Sequence, residues 1–226
     1  MSGTIGIIAD AAGRYSQFAQ CLGQLQKPVN TLEDWAIGSD RSRSRNFLVA
    51  RALDRGAEWI LFIDDDQSFK PDLLKLLLEA DRPVVGALCL QRHAPHMPLV
   101  YSDKDDKGYW PLDLRNHGPN ELVQVRAVGS GGMLVRSEVF RELGEIDWFK
   151  HTTEQSEDMF FCDLLDEHDI PLYTHTGIRL GHIAPAVVFP TVEQDTWSAG
   201  IQFSYNTSVV IPIDYQQVFE DAAALR

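Results

Sequence analysis

Three carboxylates in a row, Asp64, Asp65 and Asp66, close the apolar run Trp59–Ile63. An apolar run of that length reads as a strand buried on both faces of a parallel sheet. Open α/β sheets bind ligands beyond the carboxyl ends of their strands. Side chains at i and i+2 of an extended segment point the same way, so Asp64 and Asp66 should converge while Asp65 turns elsewhere. Crowded carboxylates are driven toward their neutral form unless a cation sits among them. A hard divalent cation with oxygen ligands is the natural resident. The plainer alternative is that one aspartate caps the next helix and the others are solvated.

No phosphate-binding loop accompanies these acids. GxxxxGK[ST] is absent, no GxGxxG follows the first apolar run, and the glycine segment Gly129–Gly132 lacks a lysine. Any phosphates must then be held by the metal itself, with help from arginines. Two further features carry chemistry. Ser156 precedes Glu157 and Asp158 where a helix should start, a place whose dipole favours anions. His182 follows a glycine at a strand end. His93 and His96 show no ligand spacing and read as loop residues.

The elements that must position these groups follow from apolar periodicity. Thr4–Ala9 reads as the first strand, Tyr15–Gln26 as a helix, and Ser44–Gly56 as a second helix ended by its glycine. The acidic strand, a helix with Pro71 in its first turn, and the strand Pro83–Leu90 come next. That alternation implies an α/β fold with a mainly parallel central sheet flanked by helices. Between Gln91 and Gly118 loops and a small β excursion are expected. After them come a strand, the glycine break, a second strand, and a helix starting near Ser156 with Met159, Phe160, Cys162, Leu164 and Leu165 inward. The stretch Ile170–Ile183 reads as a strand pair or a strand and loop. The tail 184–226 is poorly patterned, but Trp197, Phe203 and Tyr205 should pack it onto the rest.

The chain has 226 residues, which suits one α/β domain. Three well-spaced cysteines, Cys21, Cys89 and Cys162, read as free thiols in a reducing compartment, here the cytoplasm. No secretory leader and no apolar run near 18 residues is apparent, so a membrane partner is not expected. The net charge of −13 argues against phosphate or anionic-lipid surfaces as partners. The local basic patch Asp40–Arg45 is the exception.

Taken in order, the segment Arg43–Leu53, the Asp64–Asp66 triplet, "VGSGGMLVRSEVF", "SEDMFFC" and "GHI" resemble GT-A glycosyltransferases of the family-2-like kind, especially short soluble ones encoded by phages. The resemblance spans about Thr4 to Ile183. It implies a catalytic GT-A domain over 1–183; the tail 184–226 falls outside the resemblance, and its aromatics should pack it on that domain, where it could cover the acceptor site. Asp64 and Asp66 would form the DxD pair at a Mn²⁺ or Mg²⁺ ion, Asp66 on the ion and Asp64 also at the donor's ribose or sugar. Asp65 would lie beside them at the donor. His182 would be the late metal ligand and Asp158 the catalytic base, with Glu157 beside it. Arg45 and Asn46 would lie near the nucleotide, and Gly131 and Gly132 would line the sugar pocket.

The resemblance therefore implies a metal-dependent, inverting transfer of a sugar from a nucleotide-diphosphate sugar to a hydroxyl. The acceptor could be a hydroxymethylated pyrimidine in DNA, or a glycan or protein; for a phage-encoded enzyme the site of action is the host cytoplasm. A QxxRW motif is absent, which argues against a processive polysaccharide synthase. The alternatives are a nucleotidyltransferase, which would want a basic glycine-rich loop after strand one, and a non-catalytic nucleotide-sugar-binding module.

Overall fold

The apolar runs become sheet interior in the computed structural model, which describes residues 2–9, 15–38, 40–92, 95–183, 187–204 and 207–224. His93 and Tyr205 lie outside the described residues. The first half alternates strongly: Gly3–Ala9 (β1), Ser16–Gln24 (α1), Thr31–Ile37 (β2), Arg41–Asp54 (α2), Trp59–Asp64 (β3), Gln67–Ser68 (β4), Leu73–Glu79 (α3) and Val84–Leu88 (β5). Next come the excursion strands Val100–Asp105 (β6) and Gly108–Pro111 (β7), then Leu122–Val125 (β8), Ala127–Val128 (β9) and Met133–Arg136 (β10). Ser137–Leu143 (α4), Glu157–Glu167 (α5), Leu172–Arg179 (β11) and Gly181–Ile183 (β12) follow.

The central sheet has seven strands in the order β2-β1-β3-β10-β5-β11-β8. Five run one way; β10 opposes β3 and β5, and β8 opposes β11. The sheet is thus mostly parallel but mixed. Its middle strands are sealed on both faces, as the unbroken burial of Trp59, Ile60, Leu61, Phe62 and Ile63 shows.

Two elements depart from the sequence expectations. The strand β2 carried no expectation. It is an edge strand, and its run Thr31–Ile37 mixes exposed Leu32 and Ile37 with buried Asp34 and Ala36. The tail is more regular than its pattern: Val187–Glu193 (β13), Thr196–Ser204 (β14), Thr207–Pro212 (β15) and Tyr215–Ala224 (α6). With β12 and β4 its strands make a second sheet, β15-β14-β13-β12-β4. Trp197, Tyr215 and Val218 are buried in the same core as Leu112 and Leu114. Trp197 Nε1 donates to the His117 carbonyl at 3.3 Å, and the Arg179 guanidinium lies 4.7 Å from the Trp197 ring.

Within α5 the inward residue is Phe161 and not Phe160. Phe161 stacks on Phe149 at 4.5 Å and on Phe140 at 5.6 Å. Glu157 lies one turn earlier on that same face and is buried with it, whereas Met159 and Phe160 are only half-buried. Adjacent helical residues point about 100° apart, so burying Glu157 directs Asp158 sideways. Cys89 and Cys162 are buried free thiols, as expected, and Cys21 is half-buried.

Candidate active site

The acidic triplet does not run on as a strand. Asp64 ends β3, and the chain turns at Asp65 and Asp66 before β4. That turn brings the distant histidine in. β4 pairs with β12 so that Gln67 stands opposite His182, and Ile183 N–H donates to the Asp66 carbonyl at 2.7 Å. His182 Nε2 thereby comes to 3.8 Å from Asp66 Oδ1. Its Nδ1 lies 3.0 Å from the Leu90 carbonyl. A carbonyl only accepts, so Nδ1 carries a proton and Nε2 is the nitrogen that faces Asp66.

Around this pair is a cavity of about 180 Å³. Its walls include Asp64, Asp66, Asp158, His182 and the backbone of Gly129–Gly131, which the sequence reading had largely singled out. They also include Arg41, Gln67, Cys89, Arg92 and Leu99, which it had not. Arg41 lies in the basic patch Asp40–Arg45 but nothing local sets it apart from Arg43, and no local pattern marks Arg92; only the tertiary structure brings the two to one cavity.

Arg45, Asn46, Asp65, Glu157 and Gly132 stand behind the cavity rather than in its lining. Arg45 is 2% exposed. Its guanidinium sits 5.7 Å from the Phe62 ring and 5.9 Å from Phe149. Nη2 donates to Asp64 Oδ1 at 3.0 Å, while Nε faces Glu157 Oε1 at 3.5 Å. Burial opposes its charge, but Asp64, Glu157 and Asp158 more than offset this and raise Arg45 above its ordinary value. Asn46 is spent on backbone: Nδ2 donates to the Phe149 carbonyl at 2.8 Å, and Phe149 N–H donates to Oδ1 at 3.0 Å. Asp65 is buried, and its N–H donates to the Ile8 carbonyl at the end of β1.

The two glycines divide in the same way. Gly132 has φ +105° and a side chain there would meet Leu180 Cδ1 at 2.2 Å, so it serves packing behind the sheet. A Cβ on Gly131 would lie 2.9 Å from Asp64 Oδ2, on the cavity wall. Asp158 reaches the wall from the first turn of α5. Ser156 occupies the N-cap position, but its hydroxyl donates to Asp158 Oδ1 rather than capping the helix. Met159 N–H also donates to Oδ1, at 3.0 Å. Both bonds load one oxygen and orient the other.

Burial, and next the charge of Asp64, push the Asp66 carboxyl above its usual range, with His182, Arg92 and Arg41 pulling back. Burial and the nearby Asp66 charge push the Cys89 thiol up to about 12, so it is un-ionised at neutral pH. Asp66 Oδ1 is buried and has no hydrogen-bond partner among the described residues, while Arg92 Nη2 donates to Oδ2. An unpaired buried carboxylate oxygen costs free energy unless something positive meets it. Among the described residues no three His, Cys, Asp or Glu side chains form one cluster. A cation between Asp66 and His182 would therefore take its other ligands from a bound anion and water.

The sequence matches no protein-family model and no curated protein. Its fold is shared. A crystal structure of A197 from STIV superposes with a TM-score of 0.59 at 14% identity, covering 91% of this chain and 96% of that one. A crystal structure of GalNAc-T7 with UDP, GalNAc and Mn²⁺ gives 0.59 at 12% identity, covering 81% of this chain and 44% of that one. The chain thus has a GT-A-like fold, with a mixed sheet and additional strands. Among the described residues no helix is long and apolar enough to cross a membrane.

Proposed function

We propose that this protein is a glycosyltransferase that moves a sugar from a nucleotide-diphosphate sugar to a hydroxyl acceptor. The observation that carries this is the meeting of Asp66 and His182 at the end of β3, opposite Asp158, across a cavity walled by bare glycine backbone. The shared fold with GalNAc-T7, itself crystallised with UDP and Mn²⁺, supports the same reading.

In this reading Asp66 Oδ1 and His182 Nε2 hold Mn²⁺ or Mg²⁺. The Leu90 carbonyl keeps the imidazole in the ligating tautomer. When bound, the cation neutralises the charge that grows on the departing diphosphate. Asp64, held by Arg45, faces the donor's ribose or sugar. Gly131 admits the sugar where a side chain would press on Asp64. Arg41, exposed at the start of α2, serves the phosphates. Arg45 and Asn46 act on the donor through Asp64 and the Phe149 loop. Asp158 takes the acceptor proton through its unloaded oxygen. With Asp66 given to the cation and Asp64 held by Arg45, Asp158 is the carboxylate among the described lining residues left to act as base, which favours direct displacement with inversion of the anomeric carbon.

β13 pairs with β12, which carries His182 on the cavity wall, and we assign the acceptor side to that border. The basic patch is smaller than its sequence suggests. Arg41 and Arg43 are exposed and Arg45 is buried, which weakens the case for DNA as acceptor without removing hydroxymethylated pyrimidines from the test set.

The experiment is donor turnover with radiolabelled nucleotide sugars, with and without EDTA, against modified DNA, glycans and peptides. Metal-dependent sugar transfer or donor hydrolysis is expected. Release of pyrophosphate from a nucleoside triphosphate and a sugar phosphate would instead show a nucleotidyltransferase. Asp66→Ala should lose metal-dependent nucleotide binding by calorimetry and keep its fold; unchanged binding would overturn the assignment.

A further inference from the structure

Asp66 spends its two oxygens differently. Oδ2 accepts from Arg92 Nη2, and Oδ1 faces His182 with no hydrogen-bond partner among the described residues. The arginine comes from the turn after β5 and remains 32% exposed at its side chain, against 2% for Arg45 on the neighbouring aspartate. The backbone just before it is hydrogen-bonded. Gln91 N–H donates to the Met97 carbonyl at 2.9 Å, and the Leu90 carbonyl receives His182 Nδ1. A fixed stem and a solvent-side guanidinium allow the head to move while its base stays in place.

The charges around Asp66 give that movement a cause. Asp64 repels it, while His182, Arg92 and Arg41 attract it. The cavity wall as a whole sets Asp64, Asp66 and Asp158 against Arg41 and Arg92. A divalent cation on Asp66 would repel the guanidinium already there. A diphosphate arriving at that cation would offer the same guanidinium several anionic oxygens, for which its planar fork is well shaped.

We propose that Arg92 is an exchangeable counter-ion: it competes with the divalent cation for Asp66 and, once displaced, binds the donor's diphosphate. This rests on the glycosyltransferase reading above. It makes Arg92 a donor-binding residue that couples cation binding to donor binding, with effects of opposite sign on the two ligands. Removing Arg92 should strengthen cation binding in the absence of nucleotide and weaken nucleotide binding in its presence.

The test is calorimetry on the full chain. MnCl₂ is titrated first without nucleotide. At saturating Mn²⁺ the tightest binder among UDP, GDP, ADP, CDP and dTDP follows. Wild type is compared with Arg92→Met and Arg92→Lys. For a partly exposed ion pair, Arg92→Met is expected to bind Mn²⁺ roughly three- to ten-fold tighter and the nucleotide weaker by a similar factor. Arg92→Lys keeps the charge but not the fork, and should fall between. Thermal unfolding of both variants should match wild type. If both affinities fall together, or neither moves, Arg92 is scaffold and the inference is overturned while the glycosyltransferase reading stands. If wild type binds neither Mn²⁺ nor any of the nucleotides, that reading fails and the inference with it.

Discussion

Two aspartates two residues apart are each met by an arginine, and the two pairs do opposite work. Arg45 and Asp64 form the inner pair. Arg45 is sealed between Phe62 and Phe149 and also faces Glu157. Arg92 and Asp66 form the outer pair, on the rim of the cavity beside His182 and with the arginine partly in water. A buried charge with partners on both sides cannot leave without stranding them, so the inner pair is architecture. A rim charge gives up its partner at little cost, so the outer pair is available to ligands. Equal chemistry at nearly equal positions in sequence is thus separated into structure and function by burial alone.

The sharpest division is within one helical turn of α5. Asp158 faces the cavity, and Glu157 faces Arg45. Asp158→Asn should lower turnover by about 10²–10⁴ with donor affinity near wild type, since a carboxamide cannot take a proton. Turnover within a few-fold of wild type at saturating substrates would place the base elsewhere. Glu157→Gln should lose less turnover, and part of its loss should appear as lower thermal stability.

The inner pair itself should break the fold before it breaks binding. Arg45→Met leaves buried Glu157 and half-buried Asp64 without their cation and is expected to cost about 3–5 kcal/mol of stability. Denaturant unfolding measures this. A variant of unchanged stability but weakened donor binding would move Arg45 from architecture to direct donor contact.

Gly131→Ala probes the contact between the two regions. Its Cβ would press on Asp64 Oδ2 at 2.9 Å and on Gln67 Nε2 at 3.0 Å. Because Arg45 holds Asp64 from behind, the strain should pass into the cavity. We expect donor binding weaker by on the order of ten-fold, about 1.4 kcal/mol, with little change in melting temperature. Unchanged donor binding would show that the sugar does not approach this wall.

The far flank of α5 supplies a control. Asp163 accepts from Tyr109 Oη and from Arg126 Nη2, both at 2.6 Å, and pairs with Lys104. Burial pushes the Asp163 carboxyl up, but bonds from Lys104 and Tyr109 with the charges of Lys104 and Arg126 outweigh it and hold it below the usual range. A lowered carboxyl stabilises the fold above the unfolded value of about 4 and loses that contribution as pH falls through the folded value. Asp163→Asn should therefore melt lower than wild type at pH 7, by about 1–2 kcal/mol, and the gap should narrow below about pH 4. Turnover per folded molecule should not change. A pH-independent gap would mean that the carboxylate charge is not what holds α5 to β6 and β7.

Much of this arrangement is legible in the sequence. Trp59–Ile63 has no charged or hydroxyl side chain to offer water, so it reads as a buried strand, and the acids that follow it lie at that strand's carboxyl end. The acids Asp64, Asp66 and Asp158, the glycine break and His182 could all be picked out by type and by their place at element ends. The strands of the tail could not. Val209, Val210 and Ile211 are consecutive and exposed on the edge strand β15, so no alternation betrays them. Phe160 and Phe161 are equally apolar, and only the stack on Phe149 and Phe140 decides which one turns inward.

Local periodicity determined which segments are strands and helices and which residue types stand at their ends, because backbone geometry repeats within a few residues. Tertiary structure alone decided which arginine is buried and which reaches the cavity, that Asp66 would meet a histidine through the β4–β12 pairing, and that Glu157 and Asp158 would face opposite partners. Those outcomes depend on how much water each side chain keeps and on which distant strand lies beside it, and neither quantity is carried by any short stretch of chain.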